Sequence, residues 1–379
     1  MGLTLEEIRR EIRDLQAELP VAQRRGRLVP YRRRGMLAIP AFKMQAGGNP
    51  EVEGRAQSLK LLEKATQLPV DALFLDLEDA APDQAEFKAW ARIFCAEALL
   101  QFAYGPRVVA FRPSDVRSRY FEDDLVHVLT TAGHKLQAIV IAKTENAEEI
   151  SAIVRLVAQI QRHAGHENRP LLEVLIESPR AFLQAQQIAA VPGVASLTLG
   201  AWDLARLTGA EMHAQTWTQD LQAVRQLLPL IAASEGKDAV DAVTAMLPIR
   251  VTATEPALRA EQEAARQEAL RLCAQDAKDA KKLGFAGKWV LHPDQIAPIQ
   301  DAWLPTRERA LAALQLAVHY AQAAQRGSGA ELAGVQLADR AVIGADWWLV
   351  EDALHGQVLT MDDVAATGMP LEELRKIAG

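Results

Sequence analysis

Cysteine is almost absent: Cys95 and Cys273 are the only two, far apart and outside any CxxC spacing. This excludes a disulfide framework and a cysteine-built zinc site, and fits buried free thiols in a reducing cytoplasm. Long apolar runs are also lacking, since none approaches the ~18 residues of a membrane helix. The opening MGLTLEEIRREIRDLQAELP is charged throughout and has no apolar core of signal-peptide type. These features place the protein in the cytoplasm with no membrane partner. Basic charge is in short supply as well, with 42 Lys and Arg against 49 Asp and Glu, a net charge of −7 and a pI near 5.7. A nucleic-acid partner for the chain as a whole is therefore disfavoured. Hydrophobic residues are abundant at 49%, enough for a large core in a soluble globular protein of 379 residues.

Those residues fall into short strand-like runs separated by longer amphipathic stretches. Eight runs stand out: 36–40, 72–77, 108–111, 138–142, 172–176, 196–199, 239–243 and 289–291. Their starts lie roughly 25 to 50 residues apart, which leaves room for a crossover helix, and continuous apolar runs suit strands covered on both faces. Eight such units predict a (β/α)8 TIM barrel. The seventh run is short enough to extend the preceding helix instead.

Catalytic groups of this fold gather at the C-terminal ends of strands, and polar residues fall there. Asp76, Glu78 and Asp79 close the second run, Arg112 the third, Lys143 the fourth, Glu177 the fifth and Asp203 the sixth; Asp241 lies in the seventh and His292 follows the eighth. VLIESPR around Glu177 and LTLGAWDLA around Asp203 each end an apolar run with one carboxylate. The pair predicts a Mg2+ site, with Mn2+ as a substitute, because Mg2+ takes one or two protein carboxylates and leaves its other positions to water and substrate. Singly, each acid favours the blander reading of a helix cap or an arginine partner.

FLDLEDAAPDQAEFKAWAR, FRPSDVRSRYFEDDL, IAKTENAEEI, IESPRAFLQA, LGAWDLARLTG and LGFAGKWVLHPDQIAPI, in that order from about residue 36 to 305, resemble the citrate lyase β-subunit and malyl-CoA lyase branch of the HpcH/HpaI aldolase family. The resemblance implies a metal-dependent barrel that cleaves or forms a C–C bond beside a thioester or a 2-oxo acid. It also implies that Glu177 and Asp203 hold the metal and that Arg112 matches the arginine of the family's RVN segment, with Pro113 and Ser114 replacing the Val and Asn. Cleavage leaves a carbanion, so a cation that chelates a 2-hydroxy or 2-oxo acid and an arginine that can hold an enolate oxygen suit the chemistry. Glu78 and Asp79 are candidates for orienting or proton-transfer work, Asp79 equally for a helix cap. Asp76, Lys143 and Glu145 are expected to support the polar floor of the barrel, and His292 to orient or cap a helix.

A thioester substrate would bring phosphates, and Arg34, Lys64 and Lys288 are the candidate coenzyme A contacts, with Gly284, Gly287 and Lys288 read as a tight turn. A basic cluster, Arg24, Arg25, Arg27, Arg32, Arg33 and Arg34, precedes the first strand, and Leu5, Ile8, Ile12, Leu15 and Leu19 give the N-terminus an amphipathic helix. The expected organisation is 1–35 for this helix and basic segment, 36–326 for the barrel and 327–379 for a C-terminal helical lid. The lid would hold a hairpin over 335–343 and a helix over 345–354 carrying Trp347 and Trp348. The family's lid supplies an Asp to a neighbouring subunit, from a segment like DGKMVD-P. Here DRAVIGADWW places Gly344 at that position and Asp346 two residues later, so Asp346 is the candidate replacement. The expected assembly is a homo-oligomer, a trimer or a hexamer. The expected activity is a lyase acting on malyl-CoA or citramalyl-CoA; the alternatives are an HpaI-type 2-oxo acid aldolase, whose Glu-His pair is replaced here by Glu78-Asp79, and a non-catalytic binding subunit.

Overall fold

The computed structural model describes residues 33–378 except Thr216 and Val335. The expected amphipathic helix and Arg24, Arg25, Arg27 and Arg32 lie outside the described residues. Eight parallel strands close a barrel in sequential order: β1 (Gly35–Pro40), β2 (Ala72–Asp76), β3 (Val108–Arg112), β4 (Ala138–Ile141), β5 (Leu171–Ile176), β6 (Val194–Leu199), β7 (Asp238–Asp241) and β8 (Gly287–Val290). All eight expected runs are strands. The crossovers carry α1 (Arg55–Ala65), α2 (Ala85–Gln101), α3 (Phe121–Ala132), α4 (Ala147–His163), α5 (Pro179–Leu183), α6 (Ala185–Ala190), α7 (Ala201–Thr208), α8 (Trp217–Asp220), α9 (Gln222–Ser234) and α10 (Pro256–Leu283). Each strand buries both faces, which is why its sequence is apolar without alternation. The interior is filled in layers by Met36, Phe74, Ala110, Val140, Leu175, Val240 and Trp289.

One correction concerns the last strand. Gly287 and Lys288 do not form a turn but open β8, pairing with Val240 and Asp241. A Cβ on Gly287 would stand 1.7 Å from the Arg33 carbonyl oxygen, so only glycine lets the chain before β1 pass this close. The turn is made by Gly284, which ends α10 in the left-handed conformation, φ 98°.

The described residues form two compact units, divided after Gln300. The second begins earlier than the expected 327, because α12 (Arg307–Gln325), which follows α11 (Ile296–Ala302), builds its core. Ala310, Ala313, Leu314, Ala317 and Tyr320 of α12 pack with Ile343, Trp347, Val350 and Ala353 of α13 (Arg340–His355). Ahead of α13 runs a hairpin of β9 (Ala330–Ala333) and β10 (Gln336–Asp339), so the hairpin ends before the expected 343. The cause is Asp339, whose carboxylate accepts from the Val342 N–H at 2.8 Å and caps the helix at once. Two short helices close the chain, α14 (Met361–Ala365) and α15 (Leu371–Ala378). Both cysteines are free and buried, and burial pushes the Cys273 thiol up to about 11. No described helix is long and apolar enough to cross a membrane.

Candidate active site at the C-terminal end of the barrel

A cavity of about 380 Å³ opens at the C-terminal ends of the strands. Its apolar wall includes Pro40, Leu175, Val243 and Trp289, and its polar side is Asp76, Asp79, Arg112, Glu177 and Asp203. Of the strand-end residues singled out by their position, Asp76, Asp79, Arg112, Glu177 and Asp203 therefore converge on one cavity within the first unit.

Arg112, the last residue of β3, is 5% exposed. Its Nε and Nη2 donate to the two carboxylate oxygens of Asp76 at 2.7 Å each, and Nη2 also reaches Asp79 at 3.2 Å. Nη1 lies 2.9 Å from a Glu78 oxygen, and the guanidinium stands 5.7 Å from the Phe74 ring centre and 5.6 Å from that of Trp289. Burial opposes the charge, but Asp76, Glu78 and Asp79 together hold it more firmly protonated than usual. The two acids after β2 are pushed apart. Burial raises the Glu78 carboxyl to about 7, more than Arg112 offsets, whereas for exposed Asp79 the Arg112 charge and the Glu78 hydrogen bond outweigh burial and lower it. Lys143 ion-pairs with Glu78 through its ammonium group.

Glu177, directly after β5, is 3% exposed. Its Oε1 accepts from the Lys143 backbone N–H at 2.5 Å, and no side-chain cation of the described residues is paired with it. Burial first, with the charges of Asp203 and Glu78 added, pushes its carboxyl up to about 7. Gly200 makes room for it: a Cβ there would lie 2.3 Å from the Glu177 Cβ. Asp203 stands in the first turn of α7, one third exposed, and accepts from Arg206 at 3.0 Å. Among the described residues no group of three or more His, Cys, Asp or Glu is arranged to hold a metal, and the candidate donors are the two carboxylates of Glu177 and Asp203. That set fits Mg2+, which needs few protein ligands: one acid is buried without an ion-pair partner among the described residues, and around the cavity Asp76, Glu78, Asp79, Glu177 and Asp203 outnumber Arg112 and Lys143.

Other expected residues lie elsewhere. Arg34 precedes β1, at the opposite end of the barrel, and clasps Asp71 with two bonds of 2.7 and 2.8 Å. Lys64 is in the last turn of α1, which leads to that same end. Lys288 is fully buried and donates to Asp241 at 2.9 Å and to the Ala242 carbonyl at 2.6 Å, beside Arg225 and Asp276. None of the three lines the cavity: Lys288, buried and paired, braces β7 and β8 instead of reaching a phosphate, and Arg34 ties β1 to the start of β2. Glu145 lies on the loop before α4, more than a third exposed and loosely paired with Arg117 and Arg180, not on the barrel floor. His292 caps the short turn Pro293–Gln295, its Nδ1 accepting from Asp294 N–H at 3.2 Å. Asp346 lies on α13 in the second unit, where Trp347 is buried in the core and donates to Glu351 at 2.9 Å. Three features carry no clear mark in the sequence: Trp289 as a ring beside Arg112, Lys88 behind the Glu78 turn, and the Arg33–Glu173 ion pair of 2.9 Å at the foot of the barrel. A lysine inside an otherwise apolar helix face was the available signal for Lys88.

The HpcH/HpaI aldolase/citrate lyase family model matches residues 55–293, which include all the cavity's acids and Arg112. The chain belongs to this family. Within it, the chain is 33% identical to the citrate lyase subunit beta-like protein of Deinococcus radiodurans, over 71% of this chain and 84% of that one. It is 28% identical to the L-malyl-CoA/beta-methylmalyl-CoA lyase of Cereibacter sphaeroides, over 75% and 87%. The fold is also that of the Mycobacterium tuberculosis protein CitE, solved in complex with magnesium, acetoacetate and coenzyme A, with a TM-score of 0.58, 21% identity and coverage of 85% and 98%.

Proposed function

We propose that this member of the family is a Mg2+-dependent carbon–carbon lyase that cleaves, or in reverse forms, a 3-hydroxyacyl-CoA thioester of the malyl-CoA or citramalyl-CoA type. The observation that carries this reading is the buried Glu177 carboxylate, which has a backbone donor but no ion-pair partner among the described residues and shares its cavity with Asp203. The named lyase among the relatives supports the substrate class. Glu177 and Asp203 would hold the cation. When bound, it would supply Lewis-acid stabilisation to the hydroxyl and carboxylate oxygens of the substrate.

The chain's own groups account for the rest. A carboxylate of the Glu78–Asp79 pair takes the proton of the substrate hydroxyl, and the C–C bond beside it breaks to leave a 2-oxo acid and a thioester enolate. The same pair returns a proton to the enolate carbon. Neighbouring acids with opposite pKa shifts are suited to this exchange. Nε and Nη2 of Arg112 are engaged with Asp76 and Asp79 and Nη1 with Glu78, so protonation of Glu78 frees Nη1 to donate to the developing enolate oxygen. The apolar wall around Trp289 keeps water from the carbanion. A family lid acid is the other source of the proton transfer, and Asp346 is its candidate here. The protein is further proposed to act as a homo-oligomer in the cytoplasm.

The test is to supply malyl-CoA and citramalyl-CoA with Mg2+ or with EDTA and to follow release of 2-oxo acid, acyl-CoA and free CoA. Equal 2-oxo acid and acyl-CoA, only with metal, is the expected result. Free CoA alone would indicate thioester hydrolysis, and no product would leave a binding subunit. Loss of turnover in Asp346→Asn but not in Glu78→Gln would move the acid–base role to the lid.

A further inference from the structure

The turn that carries Glu78 and Asp79 is held from behind by a lysine that takes no part in the chemistry above. Lys88 sits in the first turn of α2 and is 4% exposed. Both circumstances disfavour a cation: an ammonium group is costly to remove from water, and the first turn of a helix is the positive end of its dipole. Burial pulls the Lys88 ammonium below the usual lysine range, against the pull of Asp124, Glu78, Asp76 and Asp83.

Its charge is used on backbone. Nζ donates to the Leu77 carbonyl at 2.7 Å and to the Glu78 carbonyl at 2.6 Å. Neighbouring peptide units of an extended strand face opposite ways, so a single ammonium that reaches two consecutive carbonyls fixes a bend between them. The other backbone groups of the same two residues are tied as well: the Leu77 N–H donates to the Arg112 carbonyl at 2.9 Å, and the Glu78 N–H to Asp76 at 3.0 Å. The bend starts where β2 ends and delivers the Glu78 side chain to Arg112 and Lys143. One helical turn on, Arg92 and the Ser114 N–H both bond to buried Asp124, at 2.8 and 2.9 Å, which anchors the loop following Arg112 to the same helix pair.

We propose that Lys88 is a positioning residue of this site: by holding the Leu77 and Glu78 carbonyls it aims the Glu78 carboxylate at Arg112 and Lys143. Its effect on turnover rests on the lyase reading, but its effect on the backbone does not.

Two measurements therefore separate the proposals. In Lys88→Met, which keeps the apolar stem, the Leu77 and Glu78 amides should exchange with solvent at least about tenfold faster while Phe74 in β2 stays protected. Lys88→Gln, which retains a donor for one carbonyl, should give an intermediate rate and covers the case in which the methionine variant does not fold. In active enzyme, Lys88→Met should lower kcat about 30-fold with KM within about threefold, and should add little to Glu78→Gln, since residues acting through one another are non-additive. Unchanged exchange at Leu77 and Glu78 in a folded variant, or losses that add fully to those of Glu78→Gln, would overturn the role of Lys88. A wild-type protein without lyase activity would overturn the function above and leave the exchange experiment decisive for Lys88.

Discussion

Lys143 holds the Glu177 carboxylate by its backbone N–H at 2.5 Å, and it does so from a left-handed backbone conformation, φ 57°. Its side chain runs to Glu78. One residue thus links the candidate metal ligand to the candidate acid–base pair, and it bears a conformation that costs a residue with a Cβ about 1 kcal/mol or more.

Substitution separates its two tasks. Lys143→Gly accepts the positive φ and keeps the N–H, whereas Lys143→Ala keeps the strain, and both lose the ammonium. The glycine variant should be more stable than the alanine variant by about 1 kcal/mol in urea unfolding, with the two equally impaired in turnover. An alanine variant of equal or greater stability would mean that the backbone here is not strained.

Gly200 is the second lever on Glu177. The Cβ of Gly200→Ala would lie 2.3 Å from that of Glu177, so the carboxylate must shift. Magnesium affinity by calorimetry should fall at least about tenfold while the far-UV spectrum is unchanged, in line with the geometric demands of small divalent ions. Unaltered affinity would show that Glu177 does not hold the ion from its present position.

Arg112→Lys keeps the charge and loses the fork. Asp76 would lose one of two bonds and the ring contacts with Phe74 and Trp289 would go. Turnover should drop about 100-fold or more, with metal affinity retained. Near-normal kinetics would reduce Arg112 to a structural partner of Asp76.

Protons and metal compete for Glu177. Its carboxyl, about 7 in the folded protein against 4.5 for an ordinary glutamate, must be ionised to bind a cation. Metal affinity should be level above pH 7 and fall about tenfold per unit below it. The sign for the metal-free fold is the reverse: a raised carboxyl favours the protonated folded state, so its contribution to stability is full below about 4.5 and is lost as the pH rises through about 7. Titrations of affinity and of unfolding midpoint between pH 5 and 8 check both slopes.

The barrel was legible because parallel strands covered on both faces must be continuously apolar, and the lining of the cavity was legible because a polar residue closing such a run has few places to go but the C-terminal rim. Arg112, Glu177 and Asp203 were placed at that rim on this ground. Lys288 and Arg34 were misplaced for a physical reason. A cation near a glycine-rich stretch reads as a phosphate contact, and nothing along the chain reveals that Asp241 and Asp71, far away in sequence, neutralise them. The unit boundary failed similarly, since the small residues of α12 give no sign of which partner they face until α13 is seen against them. Lys88 stayed hidden because its partners are backbone carbonyls, which every sequence has.

The most direct measurement is magnesium-dependent release of 2-oxo acid from malyl-CoA or citramalyl-CoA by the wild-type protein and by Glu177→Gln, which keeps the size of the side chain but removes its charge. The expected result is turnover in the wild type that EDTA abolishes and magnesium restores, and at least about a hundredfold loss in the variant with its fold intact. Equal turnover by the two proteins, or wild-type turnover that persists in EDTA, would contradict it.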